Sequence, residues 1–279
     1  MPELPEVETI VRGLKKEIAG RVCLTAQVWT PSVVKGDAGA LVAALMGRRV
    51  AAIDRHGKAV FVSFAPDGNA AGPTSVLRVH LGMTGQLVFE PADSRAAPHT
   101  HAAFRFAGNP RELRYRDIRR FGNLRLLTNR FDPGMGPDAW LSSGDELFSV
   151  LSKRRGMIKA ALLNQKIVAG LGNIYVDESL YRSGIHPRAV IERLRADRLR
   201  ALCDAIQVVL GESIALGGTS FRNYIDTEGA RGGFKGRLRV YGKQGTRCIC
   251  GATIQRIVVV SRGTHFCPAC QPRPRSKKP

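Results

Sequence analysis

Met1-Pro2-Glu3-Leu4-Pro5-Glu6-Val7-Glu8 opens the chain, and these residues set what the rest of the sequence has to supply. A small second residue such as Pro2 becomes the terminus once the initiator methionine is cleaved, leaving a secondary amine. An α-amino group titrates near roughly 7.7–8.0, against about 10.4 for lysine, so much of it is nucleophilic near neutral pH. Glu3 supplies a neighbouring carboxyl for proton transfer. Pro5 suits the first turn of a helix, where its missing N–H has no partner to lose. Val7, Ile10, Val11, Leu14 and Ile18 recur at helical spacing and stop before Gly20, which predicts an amphipathic helix. The amine then sits at the positive end of a helix dipole, which lowers its pKa. A capped core helix with a proline-rich lead-in accounts for the same residues, and the terminus alone does not choose.

The chain has 279 residues, 44% hydrophobic, with 43 Lys plus Arg against 23 Asp plus Glu and a net charge of +20. That length suits two domains. The charge surplus points to a polyanionic partner, nucleic acid above all. No apolar run approaches the ~18 residues of a spanning helix, and no signal peptide is evident. A cytoplasmic protein is expected, in which six cysteines do not form a disulfide framework.

From Val22 to about Leu127 the pattern is that of short strands: Val22–Trp29, Lys58–Phe64, Val76–His80, Gln86–Phe89 and Ala102–Phe106, bounded by Gly, Pro or Asp. Such spacing predicts a β-sandwich. Phe131 to Pro137 reads as a linker. Beyond it, Leu147, Leu151, Ile158, Leu162 and Leu163 lie at helical spacings. So do Leu194, Leu199, Leu202, Ile206, Val209 and Leu210, with Gly217-Gly218 closing that helix. A Gly- and Arg-rich loop then runs from Thr219 to Gly236. The expected layout is an α+β multidomain chain: a β-sandwich with flanking helices over 1–130, a linker over 131–137, a helical domain over 138–236 carrying the loop 219–236, a cysteine hairpin over 237–271 and a disordered basic tail over 272–279.

Cys248, Cys250, Cys267 and Cys270 form two close pairs that fit a tetrahedral zinc ribbon holding one structural Zn2+. Cys248-Ile249-Cys250 has one residue between its cysteines where such knuckles usually have two, and His265 is an alternative ligand. Metal-free thiols or a reversible disulfide are the other readings. Cys23 and Cys203 lie in apolar-patterned segments and read as core. Gly170-Leu171-Gly172-Asn173 lacks the preceding strand and third glycine of a dinucleotide loop. Met83 and Phe121 alone read as core, and Lys58 and Arg262 as exposed basic residues at turns.

Pro2-Glu3-Leu4-Pro5-Glu6-Val7-Glu8 resembles the opening of the formamidopyrimidine-DNA glycosylases, bacterial enzymes that remove oxidised purines. Asn164 to Leu180 resembles that family's helix–two-turn–helix, in which Asn173 opens a helix facing a phosphate. His80-Leu81-Gly82-Met83-Thr84-Gly85 and Asp117-Ile118-Arg119-Arg120-Phe121-Gly122 also match, with Ile118 where the family has Pro. Six matching segments lie in the family's order. The resemblance implies Pro2 as nucleophile, Glu3 as proton donor supported by Glu6, and Lys58 and Arg262 at the phosphates that leave. It implies Met83, Arg119 and Phe121 as the wedge filling the gap of an extruded base, and His99, Arg155, Lys159 and Asn173 as DNA contacts.

The expected function is a bifunctional glycosylase and abasic-site lyase acting as a monomer on double-stranded DNA with oxidised or abasic sites. An endonuclease VIII-like enzyme for oxidised pyrimidines shares this chemistry, but its opening usually has Gly where this chain has Leu4. A non-catalytic zinc-ribbon nucleic-acid-binding protein is consistent with the charge and cysteines, though not with Pro2-Glu3.

Overall fold

The computed structural model describes residues 2–68, 74–128, 134–221 and 223–273. It divides into two compact units, one of residues 1–133 with 216–233 and one of residues 134–215 with 234–279.

The first unit begins with α1 (Leu4–Ile18), whose apolar stripe Val7, Ile10, Val11, Leu14 and Ile18 is buried as its spacing predicts. Two four-stranded antiparallel sheets follow. One has the order β2 (Arg48–His56), β3 (Ala59–Pro66), β4 (Ser75–His80), β8 (Asn123–Leu127), and the other β1 (Cys23–Val28), β6 (Thr100–Phe106), β7 (Arg111–Asp117), β5 (Gly85–Pro91). One apolar core joins them: Val60, Val62 and Leu77 from the first sheet meet Leu87, Phe104 and Leu113 from the second, with α1 and α2 (Ala38–Leu45) in the same cluster. Burying apolar faces of two sheets and two helices in one cluster is what makes this unit a single body. The five predicted strands are present. Strands β2, β7 and β8 and helix α2 are additions to the sequence reading.

Residues 216–233 pack on this first unit, whereas the sequence pattern grouped 219–236 with the helices. The physical reason is a set of long-range bonds. Thr219 N–H donates to Glu6 Oε1 at 2.7 Å, Phe89 N–H to Thr227 O at 2.9 Å, Gln86 Nε2 to Asn223 O at 2.5 Å, and Arg111 Nη1 to Glu228 Oε2 at 2.6 Å. A Cβ at Gly13 of α1 would lie 2.1 Å from Thr227 Oγ1, so only glycine lets the loop dock there. Of the expected linker, 131–133 lies outside the described residues, and Gly136 N–H donates to Gln165 O within the second unit. Residues 274–279 of the basic tail, and Met1, also lie outside them.

The second unit holds α3 (Gly144–Ser152), α4 (Ile158–Leu163), α5 (Asn173–Arg182), α6 (Ala196–Ala215) and the hairpin β9 (Gln255–Val259) and β10 (Arg262–Phe266). Ser143 and Glu146 cap α3 reciprocally. α6 ends at Ala215, before Gly217 and Gly218 in left-handed conformation, as expected of a glycine stop. No helix among the described residues is long and apolar enough to cross a membrane.

Candidate active site and DNA-binding surface

Pro2 and Glu3 are buried at the start of α1. Glu6, one turn on, accepts from Glu3 N–H through Oε2 at 2.6 Å and from Thr219 N–H through Oε1 at 2.7 Å. Its carbonyl accepts from the Tyr224 hydroxyl at 3.3 Å. One carboxylate therefore fixes the chain terminus against the loop 216–233. Gly218 (φ +82) faces the same carboxylate, and a Cβ there would stand 2.8 Å from Oε1.

Lys58 lies half-buried in the β2–β3 turn. The turn is tied to α1 by the buried Arg55, whose Nη1 donates to Gly57 O and whose Nε donates to Glu8 Oε2, each at 3.0 Å. The same helix thus positions Pro2, Glu3 and the lysine turn. His80 pairs with Ala59, the residue after Lys58, across β3 and β4. Burial, then the charges of Arg78 and Lys58, lower its pKa to about 4, so it is neutral and its Nδ1 accepts from Gly82 N–H at 3.2 Å. The sequence reading gave His80 no role, although its place in the His80–Gly85 motif was a signal.

Met83, Arg119 and Phe121 come together on the surface. Arg119 stacks over the Phe121 ring at 4.4 Å from its centroid and reaches Met83 Sδ at 3.4 Å. Phe121 is 55% exposed and Met83 41%, which excludes the core reading for both. Beneath them Asp117 is fully buried and accepts from Gly122 N–H at 2.7 Å and Arg119 N–H at 3.2 Å, and from the Thr84 hydroxyl. That carboxylate shapes both loops, a role that its place in the Asp117–Gly122 motif does not reveal on sequence alone. His99 is exposed with φ 64, and its carbonyl accepts from Asp117 N–H. These four predicted DNA contacts lie in loops at one end of a sheet, where β5 and β6 begin and β7 ends.

In the second unit, Arg262 is exposed at the start of β10, after a two-residue turn with Val260 at φ 44 and Ser261 at φ 59. Left-handed conformation is strained for a β-branched residue. Three consecutive residues after Arg262 are held. Asn173 Nδ2 donates to Gly263 O at 2.8 Å, Lys159 Nζ to Thr264 Oγ1 at 2.8 Å, and His265 N–H to Asp177 Oδ2 at 2.8 Å. Lys159 also donates to Asp177 Oδ1 at 2.5 Å and is 0% exposed. This corrects the reading of Lys159 as a phosphate contact: an ammonium paired inside the protein is not presented to a backbone. Asn173 is the first residue of α5, and Gly172, not Asn173, is its N-cap. Arg155 is exposed in the turn before α4.

The Sγ atoms of Cys248, Cys250, Cys267 and Cys270 lie within 4.8 Å of one another. Zn–S bonds of about 2.3 Å in a tetrahedron separate sulfurs by a comparable distance, so the set fits one zinc ion despite the short knuckle. Ile249 between the first two cysteines is 80% exposed. His265, the alternative ligand, turns instead to Asp177, its Nδ1 3.4 Å from Oδ2, with its ring against Tyr241. The Tyr181 hydroxyl lies 3.3 Å from Cys248 Sγ. Cys23 and Cys203 are buried, and burial pushes their thiols up to about 11 and about 12, as inert core cysteines require.

Family models match in the order of these units: the formamidopyrimidine-DNA glycosylase N-terminal domain over residues 1–124, the H2TH domain of the same enzymes over 134–224, and the zinc finger found in FPG and IleRS over 249–273. The chain belongs to the formamidopyrimidine-DNA glycosylase family. Relatives of that name from Solibacter usitatus and Parafrankia sp. are 39% and 41% identical. The alignments cover 98% and 99% of this chain and 100% and 99% of theirs. A solved complex between Lactococcus lactis Fpg and DNA containing an abasic site is similar throughout, with 36% identity, a TM-score of 0.87, and coverage of 98% of this chain and 100% of that one. A complex of the wild-type L. lactis enzyme with N7-benzyl-Fapy-dG DNA matches equally well, at 36% and 0.87. The zinc-finger match begins after Cys248, at the knuckle whose spacing departs from the usual pattern.

Proposed function

We propose that this protein excises oxidised purines from double-stranded DNA and cleaves the strand at the resulting site, with Pro2 as nucleophile. The observation that carries the reading is the grip of Glu6 on both the Glu3 N–H and the Thr219 N–H, which fixes the chain terminus beside a loop. Once Met1 is removed, the Pro2 nitrogen attacks C1′ of the damaged nucleoside and the base leaves with its bonding pair. Glu3 donates the proton that opens the sugar ring. The iminium formed acidifies the C2′ proton, and its loss expels the 3′ phosphate; a second elimination expels the 5′ phosphate. Lys58 and Arg262 neutralise the departing phosphates, Met83, Arg119 and Phe121 occupy the gap in the stack, and His99, Arg155 and Asn173 contact the backbone. Zinc, held by the four cysteines, supplies structure alone by keeping the Arg262 hairpin folded. The relatives being bacterial, the reading places the protein in the cytoplasm with the chromosome. Leu4 favours this branch over an endonuclease VIII-like one.

The test is borohydride reduction of the processed protein on duplexes carrying 8-oxoguanine, a formamidopyrimidine, an oxidised pyrimidine or an abasic site. The expected result is a covalent adduct mapped by mass spectrometry to Pro2, with the purine lesions processed fastest. An adduct on a lysine would overturn the nucleophile, and faster turnover of the pyrimidine would overturn the substrate class.

A further inference from the structure

Behind the zinc hairpin, within the second unit, lies a cavity of about 300 Å³ lined by His186, Arg188, Gln255, Ile257, Phe266, Pro268, Gln271 and Arg273. Its size is at the lower end of small-ligand sites. No acidic residue lines it. His186 is only 6% exposed, and its Nδ1 accepts from Arg188 N–H at 3.0 Å. The ring proton is therefore on Nε2. That N–H has no hydrogen-bond partner among the described residues. The atom is not sealed from solvent, so an acceptor that binds there replaces water at a donor already held in place.

The ring is held rather than loose. Phe266 packs edge-on to it at 4.9 Å between centroids. Gln271 is buried and spans the floor, donating to Ile185 O at 2.8 Å and accepting from Cys267 N–H at 3.0 Å. Arg188 uses one nitrogen on Val258 O at 3.3 Å and keeps its other donors. Burial, Arg273 and Arg188 together lower the His186 pKa, so the imidazole is a neutral donor beside two permanent cations.

We propose that this cavity binds a phosphate group, with Arg188 and Arg273 as the charged donors and His186 Nε2–H as the neutral one. Guanidinium forks match the oxygens of a phosphate in geometry as well as charge, and Ile257 and Phe266 leave an apolar wall for whatever the phosphate is attached to. The same chemistry is met by a DNA backbone or by a free phosphate or mononucleotide. The site is separate from the Arg262 tip of the hairpin and does not depend on the lesion chemistry.

The test follows the His186 side-chain 15N signals in the full, zinc-loaded protein at constant ionic strength, assigned with a His186→Gln variant. Inorganic phosphate, a deoxynucleoside 5′-monophosphate, a lesion-free duplex, acetate and chloride are titrated separately. A saturable shift of Nε2 with any phosphate source is expected, weakened about tenfold or more in Arg188→Gln or Arg273→Gln. A shift with inorganic phosphate or the nucleotide identifies a free-phosphate site, and a shift with the duplex alone identifies a backbone contact. Zinc content is measured on each variant, and Arg273→Gln, which lies beyond the last cysteine, serves if Arg188→Gln loses metal. No saturable shift with any phosphate source, an equal response to acetate or chloride, or full retention of the response in both variants with zinc bound overturns the proposal.

Discussion

Replacing Lys159 by Met separates a buried tether from a DNA contact. The ammonium pairs with Asp177 at 2.5 Å and with Thr264 at 2.8 Å, and neither charged side chain is exposed. Removing one partner of a buried pair costs about 3–5 kcal/mol, chiefly because the remaining charge is left alone. Asp177 keeps the His265 N–H, so the lower end, about 3 kcal/mol, is the expected size, a factor of roughly 100 in an opening equilibrium. The two units need not unfold together, so a global melting temperature is a poor reading. Amide exchange along Arg262–Phe266 is the appropriate one, and protection there should fall by roughly 100-fold while β3 is unchanged. Adding Asp177→Asn should restore most of the loss by removing the lone charge. DNA affinity should fall, yet the slope of log K against log salt should not change, since no phosphate contact is lost. Arg155→Ala, by contrast, should flatten that slope by about 0.9. If Lys159→Met flattens the slope by about one and leaves exchange in β10 untouched, the tether assignment is wrong.

Phe121→Ala should reduce excision from paired duplex more than from single strands, because only the duplex has a stack to fill; equal losses on both would argue against a wedge. Chelation should release one zinc per chain and abolish DNA binding before it unfolds the first unit, read by elemental analysis beside a binding titration. His80 has a folded pKa of about 4, below its unfolded value of about 6.5. Its contribution is therefore complete above pH ~6.5 and is lost as pH falls towards 4, by up to about 3 kcal/mol. Exchange protection in β3 and β4 should fall over that window and should lose this dependence in His80→Asn.

Much of the architecture could be read directly. The apolar stripe of α1 and the continuous burial of β3 from Ala59 to Phe64 follow from side-chain chemistry at short range. Strand β7 does not, because five of its seven residues, Arg111-Glu112-Leu113-Arg114-Tyr115-Arg116-Asp117, are charged. Arg114 is nonetheless buried, neutralised by Glu90 at 2.6 Å and Glu112 at 2.7 Å. Helix α2 is mostly alanine and glycine, with only Leu41 and Leu45 buried, so it carries little periodic signal. For Lys159 the sequence shows a cation before a helical hairpin. Its partners Asp177 and Thr264 lie 18 and 105 residues away, and only folding shows that they meet. The exposure of Met83 and Phe121 was likewise invisible to composition, which treats both as core.

The docking of residues 216–233 on α1 bears on how the protein is made. On the ribosome, Glu6 emerges early, while the backbone N–H of Thr219 that it binds is synthesised more than 200 residues later. At about 5–20 residues per second, the two sheets would stand complete but uncapped for about 5–20 s while residues 134–215 of the second unit and then the loop 216–233 itself are added. A fragment ending at residue 133 would resemble that nascent intermediate, with the Gly13 notch empty where Thr227 belongs. The N-terminal half is therefore not a separable module: its last piece arrives after most of its neighbour has been translated.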